Sequence, residues 1–426
     1  MHLPLLNTRR YMRPLLLCFI FIISFSHKLP AQTRDFDFYI KAAVQNAPTF
    51  RDLHNQAALN RQDSLLIRAA LRPQIQANTG ANLAPNVRGF GYDPAISNGG
   101  FLSALVGVSK PVFVPKQNLD AQFNVLSVQN ESLQNQARLT EQDIRRSVGA
   151  QYITAYGTAQ QLVFNRETLD LLRREEAVFK RLTEQNIYRQ TEYLTFLASL
   201  HQQEITVRQL EIQYQNDFAS LQYLCGLTDT SAVALPAPVL QLPVLPNAES
   251  TVFYRQYALD SLRISAEDQL IDIPYRPVVS VYGDAGYNSS FLSQGWKNLG
   301  FSVGVTASLL LRDGNQRSLR HEKTQLLENT RQGYRDFFLQ QFKQEIAQAR
   351  QQLAALDQLD FLIQAQLQNI RALIEANGRL LRTGEAKVVD YLVAIGNQLN
   401  AENQLTVNQI NRLQLLNQLN FRNAPQ

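Results

Sequence analysis

The sequence predicts a mixed α and β membrane protein, with long antiparallel coiled-coil helices plus four transmembrane β-strands per chain. Three observations predict it. Two stretches without proline, 116–235 and 278–424, are rich in Gln, Leu, Ala, Arg and Glu, as very long helices require, because an interior proline breaks a helix. Four segments of about ten residues alternate apolar and polar positions, the pattern of a strand that crosses a bilayer with one face in lipid. The order of elements then occurs twice, with the two hairpin tips aligned at an offset of 198 residues.

The chain opens on a signal peptide, residues 1–31. Arg9, Arg10 and Arg13 flank the apolar run Pro14 to Phe25, which is too short to span a bilayer and suits a secretory signal, with cleavage between Ala31 and Gln32. Both Met1 and Met12 fit as the initiating residue. Cys18 lies within the apolar run after Leu17, not at its end after a small residue, so it does not read as a lipidation site. Cleavage removes Arg9, Arg10, Arg13 and Lys28, which takes Lys plus Arg from 41 to 37 against 36 Asp plus Glu. A near-neutral exported chain with no basic block excludes nucleic acid as a partner.

Reactive chemistry is almost absent. Cys225 is the only cysteine after cleavage, so no intrachain disulfide forms despite an oxidising destination. Met1 and Met12 are both lost, and His54, His201 and His321 stand isolated, without metal-ligand or His–carboxylate spacing. No phosphate-binding glycine loop, nucleophile elbow or CxxC occurs. The expectation is no catalytic residue, no metal and no cofactor, hence no enzyme.

In order along the chain, the first repeat spans 32–226: a helix, strands at about 74–84 and 101–111, then a long helical hairpin. Ile75, Ala77, Thr79, Ala81 and Leu83 alternate with Gln74, Gln76, Asn78, Gly80 and Asn82. The return strand alternates likewise, except at Leu105. Residues 227–250, with Pro236, Pro238, Pro243 and Pro246, form a linker. The second repeat, 251–426, has a helix, strands at about 278–288 and 299–311, and a second long hairpin. Its last strand sets Leu299, Phe301, Val303, Val305, Ala307 and Leu309 against Gly300, Ser302, Gly304, Thr306 and Ser308.

The long helix that follows carries Leu339, Phe342, Ile346, Ala349, Leu353, Leu356, Asp360, Ile363, Leu367, Ile370 and Ile374 in steps of three and four. This is a coiled-coil seam interrupted only at Asp360. From Gln316 to Ala376 such a helix is roughly 90 Å long. A rod of that length leaves the strands with no globular core to cover. Eleven of the 19 glycines lie within 74–110 and 278–311, and the polar strand face, with Ser280, Asp284, Ser302 and Thr306, reads as a lumen wall. Phe90, Tyr92, Tyr287, Phe291 and Trp296 sit at the hairpin ends, where an aromatic girdle meets the membrane interface. Four strands do not close, and an open edge in lipid strands backbone groups, so the chain must oligomerise. Two copies make a filled eight-stranded barrel; three make a water-holding barrel of twelve.

These segments resemble the TolC-type outer-membrane efflux proteins, or outer-membrane factors, from Tyr39 to Phe421. The motifs are Gln45-Asn46-Ala47-Pro48 in the opening helix, Leu71-Arg72-Pro73-Gln74 before the first strand and Lys110-Pro111-Val112-Phe113 leaving the second. Leu311-Arg312-Asp313-Gly314 follows the last strand, and Gly384 with Val389-Asp390-Tyr391-Leu392 marks the final hairpin tip. The resemblance implies a homotrimer in the outer membrane of a Gram-negative bacterium, with one twelve-stranded barrel in outer-membrane lipid and an α-helical tunnel through the periplasm. It implies a passive exit duct of a tripartite efflux or type I secretion system, whose partners are a periplasmic adaptor protein and an inner-membrane transporter. Asn186 stands where the first tip usually has glycine, and Val393 where some members place a second gating aspartate.

At the offset of 198, Asn186 falls on Gly384 and Glu192 on Asp390. Asn186 and Gly384 are expected to turn the hairpin tips, since both tolerate a left-handed backbone. Asp390 and Glu192 are the candidate periplasmic gate, with Lys387 as an ion-pair partner. A carboxylate at that position also simply favours the positive end of a starting helix. A different class of protein, a non-pore periplasmic coiled-coil adaptor, carries one such hairpin per chain where this sequence has two.

Overall fold

The computed structural model describes residues 34–85, 87–93, 100–229, 231–243, 247–290 and 295–425. The predicted signal peptide, Phe291 and the Trp296 side chain lie outside the described residues. Seven α-helices and four strands are described: α1 (Phe36–Asn46), α2 (Pro48–Ala69), β1 (Gln74–Leu83), β2 (Gly100–Phe113), α3 (Lys116–Glu184), α4 (Gln190–Leu224), α5 (Val252–Ile271), β3 (Val278–Ser289), β4 (Leu299–Ser308), α6 (Gln316–Thr383) and α7 (Val388–Arg422).

Proline and capping chemistry set the ends. Asp35 starts α1 by accepting the Phe38 N–H at 2.9 Å. The opening helix expected as one piece is two, because Pro48 holds Ala47 extended (φ −65°, ψ 120°) and then begins α2 at a position where no N–H is needed. Beyond Pro115 nothing interrupts α3, and its 69 residues extend about 100 Å. With 68 residues α6 matches it, running past Ala376 until Gly384 ends it.

Helix α4 folds back along the far part of α3, and α7 folds back along α6 while also touching α3. Helices α2 and α5 lie against the near part of α3, and α5 also braces α6. The coiled-coil seam is where α6 is buried: Phe342, Ala349, Leu353, Ile363, Leu367 and Ile370 are all in the core. Asp360 interrupts that seam at half-burial and takes a hydrogen bond from Gln364 one turn on. Where α1 crosses α3 and α4, Tyr39, Tyr152, Phe218 and Cys225 form a separate apolar cluster.

The strands make one antiparallel sheet in the order β1-β2-β3-β4. Register puts Ile75, Val108, Gly283 and Val303 in one cross-strand row, and Gly107, Asp284 and Ser302 in another row on the opposite face. The alternation read from sequence is therefore coherent across the sheet, with Phe101, Leu105 and, at the start of β3, Val278 as apolar exceptions on the polar face. Two boundaries differ from expectation. Strand β4 ends at Ser308 rather than 311, and β2 continues to Phe113 with a register shift between Pro111 and Phe113, where proline has no N–H to give the ladder. At Gly286 (φ +154°) a Cβ would lie 2.1 Å from the Ala104 carbonyl oxygen, so the close strand approach there requires glycine.

Candidate gate and channel-lining surfaces

At the far end of the rods, each hairpin turns by the same device. At the first tip Asn186 is left-handed (φ 61°), the Ile187 N–H donates to the Leu182 carbonyl at 3.0 Å and the Asn186 N–H to that of Thr183 at 3.0 Å. At the second, Gly384 (φ 80°) has the same pair, Glu385 to Leu380 at 2.9 Å and Gly384 to Leu381 at 3.2 Å. This double bond pattern satisfies the last carbonyls of a helix around one left-handed residue. The tips are packed together as well. The Tyr188 hydroxyl lies 2.8 Å from the Leu381 carbonyl and 2.9 Å from that of Ala386, and a Cβ on Gly384 would meet Ile187 at 2.7 Å. Phe179, Tyr188, Phe196, Leu381, Val388 and Tyr391 form the core of the tip.

The two gate candidates occupy equivalent third positions of α4 and α7 but differ in what they touch. Glu192 accepts the Arg189 N–H at 3.0 Å, half of a capping box, so its carboxylate is engaged by its own helix start. Asp390 is exposed and, among the described residues, makes no side-chain hydrogen bond or ion pair. Its face of α7 carries Val389 and Val393, 53% and 55% exposed. Lys387 precedes α7, exposed, with its carbonyl accepting the Asp390 N–H at 3.1 Å; its ammonium has no acidic partner within this chain's described residues.

Sequence reasoning missed a link between the hairpins. Glu175 of α3, 6% exposed, receives Arg382 of α6 at 2.8 Å, and its second oxygen is buried without a hydrogen bond. Arg371, Glu375, Arg379 and Tyr391 line the same cleft of about 430 Å³. Burial, with Glu175 adding to it, pushes the Tyr391 hydroxyl up to about 12, so it stays neutral. A signal existed: Glu175 falls between Leu172 and Phe179 at seam spacing, where a charge needs a partner. No sequence spacing names Arg382 as that partner.

His321 also corrects the reading of the sequence. It is not isolated: Asp268 on α5 and Asp272, the residue just past the end of α5, approach Nδ1 at 2.8 Å and Nε2 at 3.3 Å, and Arg317 pairs with Asp272 at 2.7 Å. The hydrogen bond that its ring donates to Asp268, then the Asp268 charge and the bond and charge of Asp272, raise its pKa above the usual value. The result is a strut between α5 and α6. Among the described residues no group of three or more His, Cys, Asp or Glu is placed to hold a metal.

At the sheet end, Ser280, Asp284, Ser302 and Thr306 share the polar face. The Ser302 hydroxyl donates to Asp284 at 2.9 Å, and the Thr306 hydroxyl lies 3.5 Å from the Ser280 carbonyl. No helix lies along either face of the sheet among the described residues. Ile75, Phe301 and Val303 are 72%, 83% and 78% exposed, so the apolar face has no cover within the chain. Phe90 and Tyr92 stand exposed in the loop between β1 and β2. No α-helix described is long and apolar enough to cross a membrane.

By sequence the chain matches no protein-family model and no curated protein. By structure it superposes on the outer membrane protein VceC of Vibrio cholerae with a TM-score of 0.71 at 13% identity, over 92% of this chain and 96% of that one. The outer membrane channel CmeC of Campylobacter jejuni gives 0.68 at 11% identity, over 91% and 85%. The outer membrane channel MtrE of Neisseria gonorrhoeae, in its open state, gives 0.64 at 15%, over 91% and 88%. The chain has the fold of outer-membrane channels.

Proposed function

We propose that the chain is the outer-membrane exit duct of a tripartite efflux or type I secretion system, acting as a homotrimer that conducts substrate passively. One observation carries this reading. A four-stranded sheet with an uncovered apolar face and two open edges, β1 and β4, sits at the end of helical rods about 100 Å long. The apolar face fits lipid, and the open edges fit each other: three copies close twelve strands around a polar lumen. The rods then prolong the lumen through the periplasm toward an inner-membrane transporter and a periplasmic adaptor docked at the tips. Asp390 is the proposed gate residue, being the tip carboxylate left unengaged, with Lys387 available to an acid of a neighbouring protomer. Glu192 serves the helix start first. The adaptor reading is disfavoured by the joining of both strand pairs in one sheet, which a single periplasmic hairpin has no use for.

Extraction in mild detergent without boiling should yield a folded trimer that forms ion-conducting channels in planar bilayers. A monodisperse folded monomer, or a trimer that does not conduct, overturns the proposal.

A further inference from the structure

Asp284 lies near the middle of β3, with six residues of the strand before it and five after. The polar face is lined mainly by amide, hydroxyl and glycine positions, with Phe101, Leu105 and Val278 as apolar exceptions, and among the strand residues Asp284 is its only carboxylate. No Lys or Arg shares that face. Lys110, the one basic residue in the four strands, pairs with Val281 on the other. Around Asp284 four same-face neighbours are glycines: Gly107 directly across on β2, Gly286 two residues on, and Gly300 and Gly304 beside Ser302 on β4, while Tyr282, two residues before, lays its ring over Gly304. A Cβ built on Gly107 would come within 3.8 Å of the Asp284 Cβ. The carboxylate is bordered by these glycines and by Tyr282, and it accepts a hydrogen bond from the Ser302 hydroxyl at 2.9 Å.

We propose that Asp284 is a charge-selecting residue of the barrel itself, separate from any gate at the tunnel tip, and that three copies make the lumen prefer cations. This rests on the trimeric channel proposed above. Twelve strands about 4.8 Å apart and tilted about 40° enclose a backbone cylinder roughly 24 Å across, so side chains leave an opening of about 6–7 Å radius. That radius is shorter than the Debye length of about 10 Å at 0.1 M salt and longer than the 3 Å at 1 M. Three carboxylates at mid-depth therefore act on an ion at the axis in dilute salt and are screened in concentrated salt, and the low-dielectric wall focuses their field into the lumen.

The test is the reversal potential of the reconstituted channel under a KCl gradient. Asp284→Asn, which keeps the shape and an acceptor for Ser302, is expected to lower the K⁺/Cl⁻ permeability ratio about twofold or more near 0.1 M salt and to leave conductance at about 1 M unchanged. Asp284→Lys should turn the preference toward anions, and Ser302→Ala should retain the native ratio. A second route is Asp284→Cys in a Cys225→Ala background, where a negatively charged thiol reagent should restore the ratio and a neutral one should not. An unchanged ratio in conducting Asp284→Asn channels, or no effect of reagent charge, overturns the inference and leaves the channel standing. Native protein that does not conduct overturns both.

Discussion

At the scale of single residues, the two tip turns test how far local chemistry dictates structure. Asn186 and Gly384 adopt the same left-handed conformation and close the same pair of backbone hydrogen bonds, although one has a side chain. Asparagine tolerates that region and glycine is at ease in it, whereas alanine pays about 1–2 kcal/mol. Asn186→Gly should accordingly leave the first tip intact. Gly384→Ala should loosen the second, because its Cβ also meets Ile187 at 2.7 Å. Hydrogen exchange is the measurement: amide protection over 380–390 should fall about tenfold or more in Gly384→Ala. Equal protection in both variants would mean that the turn is held by its surroundings and not by this cap. The turn residues were legible because a left-handed cap is a local event. The Tyr188 hydroxyl, Arg382 on Glu175 and the aspartates around His321 were not, because each contact joins residues 49 to 207 positions apart.

At the scale of elements, β4 carries the sharpest consequence of strand parity. Its register with β3 puts Phe301, Val303, Val305 and Ala307 on the face that has no cover, and Ser302, Gly304 and Thr306 on the face with Asp284. Single cysteines at 301, 303, 305 and 307 should be shielded by lipid from a water-soluble thiol reagent, while those at 302, 304 and 306 react. The background is clean. Cys225 is buried in the chain's own core, where burial pushes its thiol up to about 12, and a Cys225→Ala change removes it altogether. Reactivity that fails to alternate along β4 would remove the barrel from the account. The strands were legible from period two alone, and their faces with them. Their ends were not: β4 stops at Ser308 although Leu309 and Leu311 continue the alternation, because no described residue of β3 remains to pair with them.

At the scale of the whole molecule, the proposed three-fold axis turns one exposed carboxylate into a ring. Three copies of Asp390 brought near one point repel, and are tolerated only if solvated, neutralised by cations or partly protonated. Such a ring at the periplasmic tip binds multivalent cations tightly enough to block. Asp390→Ala should relieve block by divalent or trivalent ions added on the tip side, in single-channel recordings. With Val393 in place of a second acid, only one ring forms, so block in the native channel should be weaker and need higher ion concentrations than two rings would. Unaltered block in Asp390→Ala would place the constriction elsewhere and leave Asp390 as a helix-start carboxylate. An ion pair from Lys387 across the protomer boundary would add about 1 kcal/mol or less, since both groups are exposed.

What the sequence by itself determined is whatever repeats or punctuates locally. Prolines bound the rods, a period of 3.5 marked the face on which α6 is buried, a period of two marked the faces of the sheet, and an offset of 198 aligned Asn186 with Gly384. Only the tertiary structure decided that both strand pairs join in one sheet through β2 and β3, which separated Asp284 from every basic side chain in the strands. It alone decided that Glu192 is engaged by its own helix start while Asp390 is left exposed, and that a buried glutamate of α3 finds an arginine of α6. The physical reason is range. Backbone propensity and side-chain period act over a few residues and are written along the chain, whereas charge pairing and strand docking depend on which distant segments the fold brings within about 3–5 Å.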